Sequence, residues 1–187
     1  MDFDQIKVLL VLKDSKLSSQ IKQILVAPLF DISEISDFNE ARRRIHDDNY
    51  KIIITENADG EGRDFAVDIS ENAATIMLFA TNEVFDHVSY YVEPYGVLTI
   101  VKPYEQFYFY NMIKVALAVH AKVERLTFQT IQMKHKMDEV KLINRAKMLL
   151  MSHMNMTEEE AHRYIEKQAM DRCAKKLEIA DEIVRSY

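Results

Sequence analysis

The chain reads as a doubly wound α/β domain built on a parallel five-stranded sheet, followed by an all-α region. Three observations predict this. Five short apolar runs alternate with helical stretches over roughly the first hundred residues. All three glycines and all three prolines lie at or before Pro103, so the remainder is free of helix breakers. From Met112 onward, apolar or small residues recur three and four apart, as one face of a long helix requires.

The first run, Ile6 to Leu12, is nearly all apolar, as a strand buried on both faces must be. Asp14 and Ser15 follow it, then Leu17, Ile21, Ile24 and Leu25 at helical spacing. Phe30 to Ser33 is a short second strand. A helix beginning at Asn39 turns Ala41 and Ile45 inward. Lys51 to Thr55 is the third strand, and Asn57 to Arg63 a polar loop. Phe65, Ile69 and Ala73 mark a weak third helix. Thr75 to Phe79 is the fourth strand. A helix over Glu83 to Val92 stops before Pro94, and Val97 to Val101 is the fifth strand. Strands alternating with helices in this way define a domain over residues 1–120. In such sheets a site forms at the carboxyl ends of the strands. The residues expected there are Lys13, Asp14, Glu56, Phe79, Ala80, Thr81 and Lys102.

Past Pro103 a single long helix is expected, at ~1.5 Å per residue roughly 60–70 Å long. Its stripe comprises Met112, Ala116, Val119, Val123, Leu126, Thr130, Met133, Met137 and Val140. A helix folded back over its own domain accounts for the stripe. A coiled-coil linker over 110–140 pairing two chains accounts for it better, because the 3,4 spacing persists for about four heptads. The dimerisation residues are then Met112, Ala116, Val119, Val123, Leu126, Met133, Met137 and Val140. Near Val140 the apolar face shifts to Ile143, Ala146 and Leu150, where a three-helix region over 138–187 begins. Ser152 to Met156 breaks the helix. Thr157 with Glu160 is a capping box that starts the next one. Leu177, Ile179, Ala180, Ile183 and Val184 lie on the last helix.

Charge is unevenly placed. Residues 1–120 hold 11 Lys/Arg and 19 Asp/Glu, whereas residues 121–187 hold 13 and 11. The two regions therefore have different tasks, and the C-terminal excess is too small to announce nucleic-acid binding by itself. One cysteine, Cys173, excludes an intrachain disulfide framework and fits a reducing compartment. No basic segment leads into a long apolar run, so neither a signal peptide nor a membrane span is expected, and the location is cytoplasmic. Glycines only at 60, 62 and 96 leave no phosphate-binding glycine loop. The six histidines and the cysteine form no metal-ligand pattern, so neither cofactor nor metal nor enzymatic activity is expected.

The order and size of the first domain, with Asp14 after strand one and Lys102-Pro103 after strand five, resemble the receiver domain of two-component response regulators. The resemblance implies an acidic, Mg²⁺-binding pair after strand one and a phosphoaccepting aspartate ending strand three. It also implies a hydroxyl ending strand four and a lysine after strand five. Asp14 matches one acid, and Lys13 stands where its partner would be. Glu56 occupies the phosphoacceptor position. Phe79 occupies the hydroxyl position, with Thr81 the alternative if the strand is offset. Lys102 matches the lysine, and Thr99 or Ile100 falls at the switch-aromatic position. A cation beside the site and a longer acid predict a degenerate receiver that is not phosphorylated. An ion pair of Glu56 with Lys13 or Lys102 takes the place of metal and phosphate, and a histidine-kinase partner is doubtful.

The C-terminal region resembles the ANTAR domain of the AmiR and NasR transcription antitermination regulators. The resemblance lies in Ile143-Asn144-Arg145-Ala146-Lys147-Met148-Leu149-Leu150-Met151, Thr157-Glu158-Glu159-Glu160-Ala161, Ala169, and Glu178-Ile179-Ala180 with Ile183-Val184. It implies a dimeric RNA-binding regulator that acts on leader hairpins and, through them, indirectly on the transcription machinery. Met148, Val140 and Glu166 depart from the family's usual glycine, arginine and basic residue. The RNA-binding candidates are Lys141, Arg145, Lys147, Arg163, Tyr164, Lys167, Arg172, Lys175 and Lys176, with His162 a further stacking candidate. Two other functions stay open. One is a protein-interaction adaptor or dimerising scaffold that has lost RNA binding. The other is a helix-turn-helix DNA binder, for which no densely basic recognition helix is evident.

Overall fold

Five parallel strands in the order β2-β1-β3-β4-β5 form the sheet of the N-terminal unit in the computed structural model, which describes residues 5–187. The strands are β1 (Ile6–Val11), β2 (Phe30–Ile35), β3 (Ile52–Glu56), β4 (Thr75–Thr81) and β5 (Leu98–Lys102). Helices α1 (Ser15–Ile24), α2 (Phe38–Asp47), α3 (Glu61–Asp68) and α4 (Phe85–Val92) connect them. A 3-10 turn, Glu93–Tyr95, leads into β5. The alternation of side chains along each strand sorts two cores. Leu9, Ile53 and Leu78 pack with α2, α3 and α4 on one face, through Ile45, Phe65 and Val88. Leu10, Ile54 and Phe79 pack on the other with Ile21 of α1 and Phe109 and Ile113 of the fifth helix. The strand order reverses between β1 and β3, which opens a crevice at their carboxyl ends.

β3 extends one residue past its expected end and includes Glu56, which is buried. The third helix starts earlier than expected, at Glu61. Asp59 and Gly60 adopt left-handed backbone conformations just before it. Gly62 then presses against β3, where a Cβ would lie 1.7 Å from the Glu56 carbonyl oxygen. Any side chain at Gly62 would drive α3 away from the strand that carries Glu56.

The fifth helix, α5, runs Gln106–Met154. Its first five turns, through Arg125, are part of the N-terminal unit. Phe109, Ile113, Ala116 and His120, spaced four, three and four, are all buried there. This corrects the expectation for two residues of the pairing stripe. Ala116 is fully buried, and Met112 packs against the same core. Periodicity reveals an apolar face but not what covers it, and here the sheet covers it. Every residue from Ala121 through Lys141 is exposed, including Val123, Leu126, Met133, Met137 and Val140 of the stripe. Val119 is exposed as well.

The chain divides into two compact units between Arg125 and Leu126. In the second, the last turns of α5 pack with α6 (Glu158–Asp171) and α7 (Lys176–Ser186). Four alanines, Ala146, Ala161, Ala169 and Ala180, let the three helices approach closely around Leu150, Ile165 and Ile179. The helix break falls after Met154, three residues later than expected, at left-handed Asn155. Thr157 and Glu160 form the expected capping box reciprocally: the Thr157 Oγ1 accepts from the Glu160 N–H, and the Glu160 carboxylate accepts from the Thr157 N–H.

Candidate functional site: a receiver-type crevice and a charged helical face

At the carboxyl ends of β1, β3 and β5, Glu56 is held from three directions. Its Oε1 accepts the backbone N–H of Lys13 at 2.8 Å and that of Asp14 at 2.7 Å. Its Oε2 lies 3.0 Å from the Lys102 Nζ. These are charge-assisted contacts to an acid whose side chain is only 5% exposed. Of the two ion pairs expected for Glu56, the Lys102 pair is present. The Lys13 ammonium instead reaches Glu61 on α3 at 2.6 Å, which raises its pKa, and sits over the Phe38 ring. Lys13 thus meets Glu56 through its backbone.

Asp14 is occupied as the N-cap of α1, its Oδ1 accepting from the N–H groups of Lys16 and Leu17. Phe79 is corrected from a site residue to a core residue. It is fully buried, with its ring centroid 5.1 Å from Tyr104 and 5.6 Å from Phe109. Thr81 is exposed at the end of β4, beside Lys102 in the strand register, and its hydroxyl lowers the pKa of Glu83 through a hydrogen bond. Thr99 is partly buried, and its hydroxyl lacks a partner. Ile100 lies in the core.

A hard divalent cation needs several free oxygen ligands. One candidate carboxylate here caps a helix, the other is already held by two N–H groups and an ammonium, and the third position is Lys13. Among the described residues no group of three or more His, Cys, Asp or Glu is placed to hold a metal ion. The residues present do not fit Mg²⁺. Sequence reasoning missed two participants, Glu61 and Tyr104. Glu61 lies in a segment that reads as loop. Burial, and secondarily the nearby Asp14, raise the Tyr104 phenol's pKa, and its oxygen has no partner.

In the C-terminal unit the nine RNA-binding candidates separate by their partners. From Met148 to Tyr187 the chain holds six Lys/Arg and eight Asp/Glu, so most cations there find an acid. Lys147, whose side chain is 15% exposed, is drawn onto Glu158 at the start of α6, 2.7 Å away. That contact is the main cause of the lowered Glu158 pKa. Arg163 pairs with Glu159 one turn before it. Arg172 makes a two-pronged contact with Glu182 on α7, at 2.5 and 2.8 Å. Lys176 pairs with Glu166, one of the departures from the family pattern. Lys141 lies a loose 3.7 Å from Asp138. Arg145, Lys167 and Lys175 are exposed, and their charged groups have no carboxylate partner among the described residues, although the Lys175 backbone N–H donates to Glu178 at 3.2 Å. Tyr164 is half-buried against the helical core, and His162 is exposed beside Glu166.

The family model of the ANTAR domain matches residues 132–184. The N-terminal unit is similar to solved receiver domains. One is the signal receiver domain of an HD domain-containing protein from Pseudomonas fluorescens Pf-5, with TM-score 0.58 and 14% identity over 65% of this chain and 93% of that one. Another is a CheY-like response regulator receiver domain protein from Methanospirillum hungatei JF-1, with TM-score 0.55 and 18% identity over 64% and 98%. A third, a response regulator receiver domain protein from Clostridium thermocellum, gives 0.56 and 16% over 63% and 98%. At these identities the likeness establishes the fold. No curated protein matches the chain. The chain therefore joins a domain of receiver fold to a C-terminal segment, residues 132–184, that matches the ANTAR domain.

Proposed function

We propose that this protein is an RNA-binding transcription antitermination regulator whose receiver-like domain is not switched by phosphorylation. The observation that carries the RNA reading is the ANTAR match across α5, α6 and α7. The unpaired cations Arg145, Lys167 and Lys175 supply charge for a phosphate backbone. The geometry around Glu56 supports the second clause. Its side chain is already engaged by two N–H groups and Lys102, and Lys13 stands where a metal-binding acid would be. The receiver-like domain then serves as a fixed module. The exposed stripe from Val119 to Val140 supports a homodimer, because an apolar row of that length invites a partner helix. No helix among the described residues is long and apolar enough to cross a membrane. A cytoplasmic regulator that acts on nascent leaders, and so indirectly on the transcription machinery, is consistent with this.

A second reading, a dimerising adaptor without RNA binding, is favoured by the engagement of Lys147, Arg163, Arg172 and Lys176 with acids. One experiment separates the two. The full chain is titrated with two-hairpin leader RNA, scrambled RNA of the same composition, and duplex DNA. The RNA reading requires preference for the hairpins over both controls. Equal or absent binding to all three leaves the adaptor reading.

A further inference from the structure

We propose that the open cavity lined by the end of α5, α6 and α7 receives one unpaired nucleobase; this rests on the RNA reading above and gives it a specific subsite. The cavity measures about 410 Å³, within the ordinary range for small-ligand sites. Leu150, Ile179 and Ile183 give it apolar walls. Arg172 and Glu182 also line it, and their two-pronged pairing leaves no net charge there. A phosphate would find no free cation among the lining residues, whereas a neutral planar ring meets apolar contacts beside a guanidinium whose charge is already paired.

Aromatic side chains complete the recognition set. Tyr164 lines the cavity from α6. Tyr187 lines it from beyond α7, its ring stacked on His153 with centroids 4.6 Å apart and planes 19° from parallel. On α6, one turn after Tyr164 and one turn before the C-cap residue Arg172, Gln168 is half-buried and its side-chain amide has no partner among the described residues. An amide offers a donor and an acceptor side by side, the pattern that reads the edge of a base. Stacking surfaces with edge-reading polar groups are how proteins recognise bases splayed out of RNA loops. Lys167, adjacent in sequence to Gln168, and Lys175 remain unpaired to meet the flanking phosphates.

The test uses the full chain and a leader hairpin in which each unpaired loop nucleotide is replaced in turn by an abasic residue. The proposal expects one loop position whose removal weakens binding about tenfold, the scale of one stacked base. Gln168→Ala and Tyr187→Ala should each weaken binding to the intact hairpin, yet bind the hairpin abasic at that position as the unsubstituted protein does. Both residues are partly or largely exposed, and circular dichroism verifies that the variants fold. If no abasic position matters, or if the variants weaken binding equally to every hairpin, the base pocket is overturned while RNA binding stands. If the unsubstituted protein does not prefer hairpins over scrambled RNA, both readings fall together.

Discussion

Replacing Glu56 tests how the receiver-type crevice is held together. Glu56→Ala removes an acceptor that serves two backbone N–H groups and leaves the Lys102 ammonium, 27% exposed, without its partner. Hydrogen bonds to a charged group are worth ~1.5–3 kcal/mol each, and an orphaned buried donor costs ~1–3 kcal/mol. Lys102 retains solvent, and water can enter the space left by the side chain, so the sum is well below the arithmetic maximum. The expected loss for Glu56→Ala is about 3 kcal/mol. Glu56→Gln keeps an acceptor for the N–H pair and loses the charge, so about half that loss is expected. Lys102→Ala leaves Glu56 with its two N–H donors and should cost less than Glu56→Ala. Urea unfolding read by hydrogen exchange at the β1–α1 peptide gives all three values for the N-terminal unit. The Lys13 and Asp14 amides should lose protection in Glu56→Ala. A loss below about 0.5 kcal/mol with unchanged protection would refute the reasoning, since a three-way anchor cannot be removed at the cost of a surface substitution.

Three further outcomes are expected. Incubation with a small-molecule phosphodonor and Mg²⁺ should leave the intact mass unchanged, and a stable phosphoryl adduct would contradict the proposed independence from phosphorylation. Sedimentation at micromolar concentration should show a dimer that Val123→Glu with Leu126→Glu dissociates, because both side chains are exposed on the stripe; a strict monomer would remove the pairing proposal. In the C-terminal unit, the Glu158, Glu160, Glu166 and Glu182 carboxyls are held below their ordinary 4.5, chiefly by Lys147, Thr157, Lys176 and Arg172 respectively. Their contribution is fully present above 4.5 and disappears as pH falls through the depressed folded values. Thermal melts across that acid window should show the stability of this unit falling. Glu158→Gln with Glu182→Gln should flatten the fall, and a pH-independent melt would contradict the assignment.

The strand pattern was legible because a parallel strand covered on both faces must be apolar throughout, as Val8 to Leu12 and Ile52 to Ile54 are. The place of Glu56 followed from the strand order, whereas its partner stayed open between Lys13 and Lys102 until the sheet set β3 and β5 on either side of β4 with Lys102 within reach. What held Glu56 otherwise was not legible, because backbone N–H groups carry no residue signature. The Lys13 ammonium was misdirected because its actual partner, Glu61, belongs to a helix whose first turn reads as a loop. The buried row Phe109, Ile113, Ala116 and His120 crosses the longer stripe at Ala116 and was masked by it. Lys147 shows the same limit for charge. Its position inside the matching block marks it, yet only the packing of α5 on α6 places Glu158 beside its ammonium. Arg145 and Lys167 look no different in the sequence and remain unpaired.

The salt dependence of hairpin binding tests the central claim most directly. Each cation that contacts a phosphate contributes about 0.7–0.9 to the slope of log affinity against log salt. The account predicts a steep fall in hairpin affinity with salt for the full chain. Arg145→Ala and Lys167→Ala should each make it shallower by about that increment. Lys147→Ala should leave the slope unchanged and lower the stability of the α5–α6 junction instead. A flat salt profile, or the same profile on duplex DNA, would contradict it.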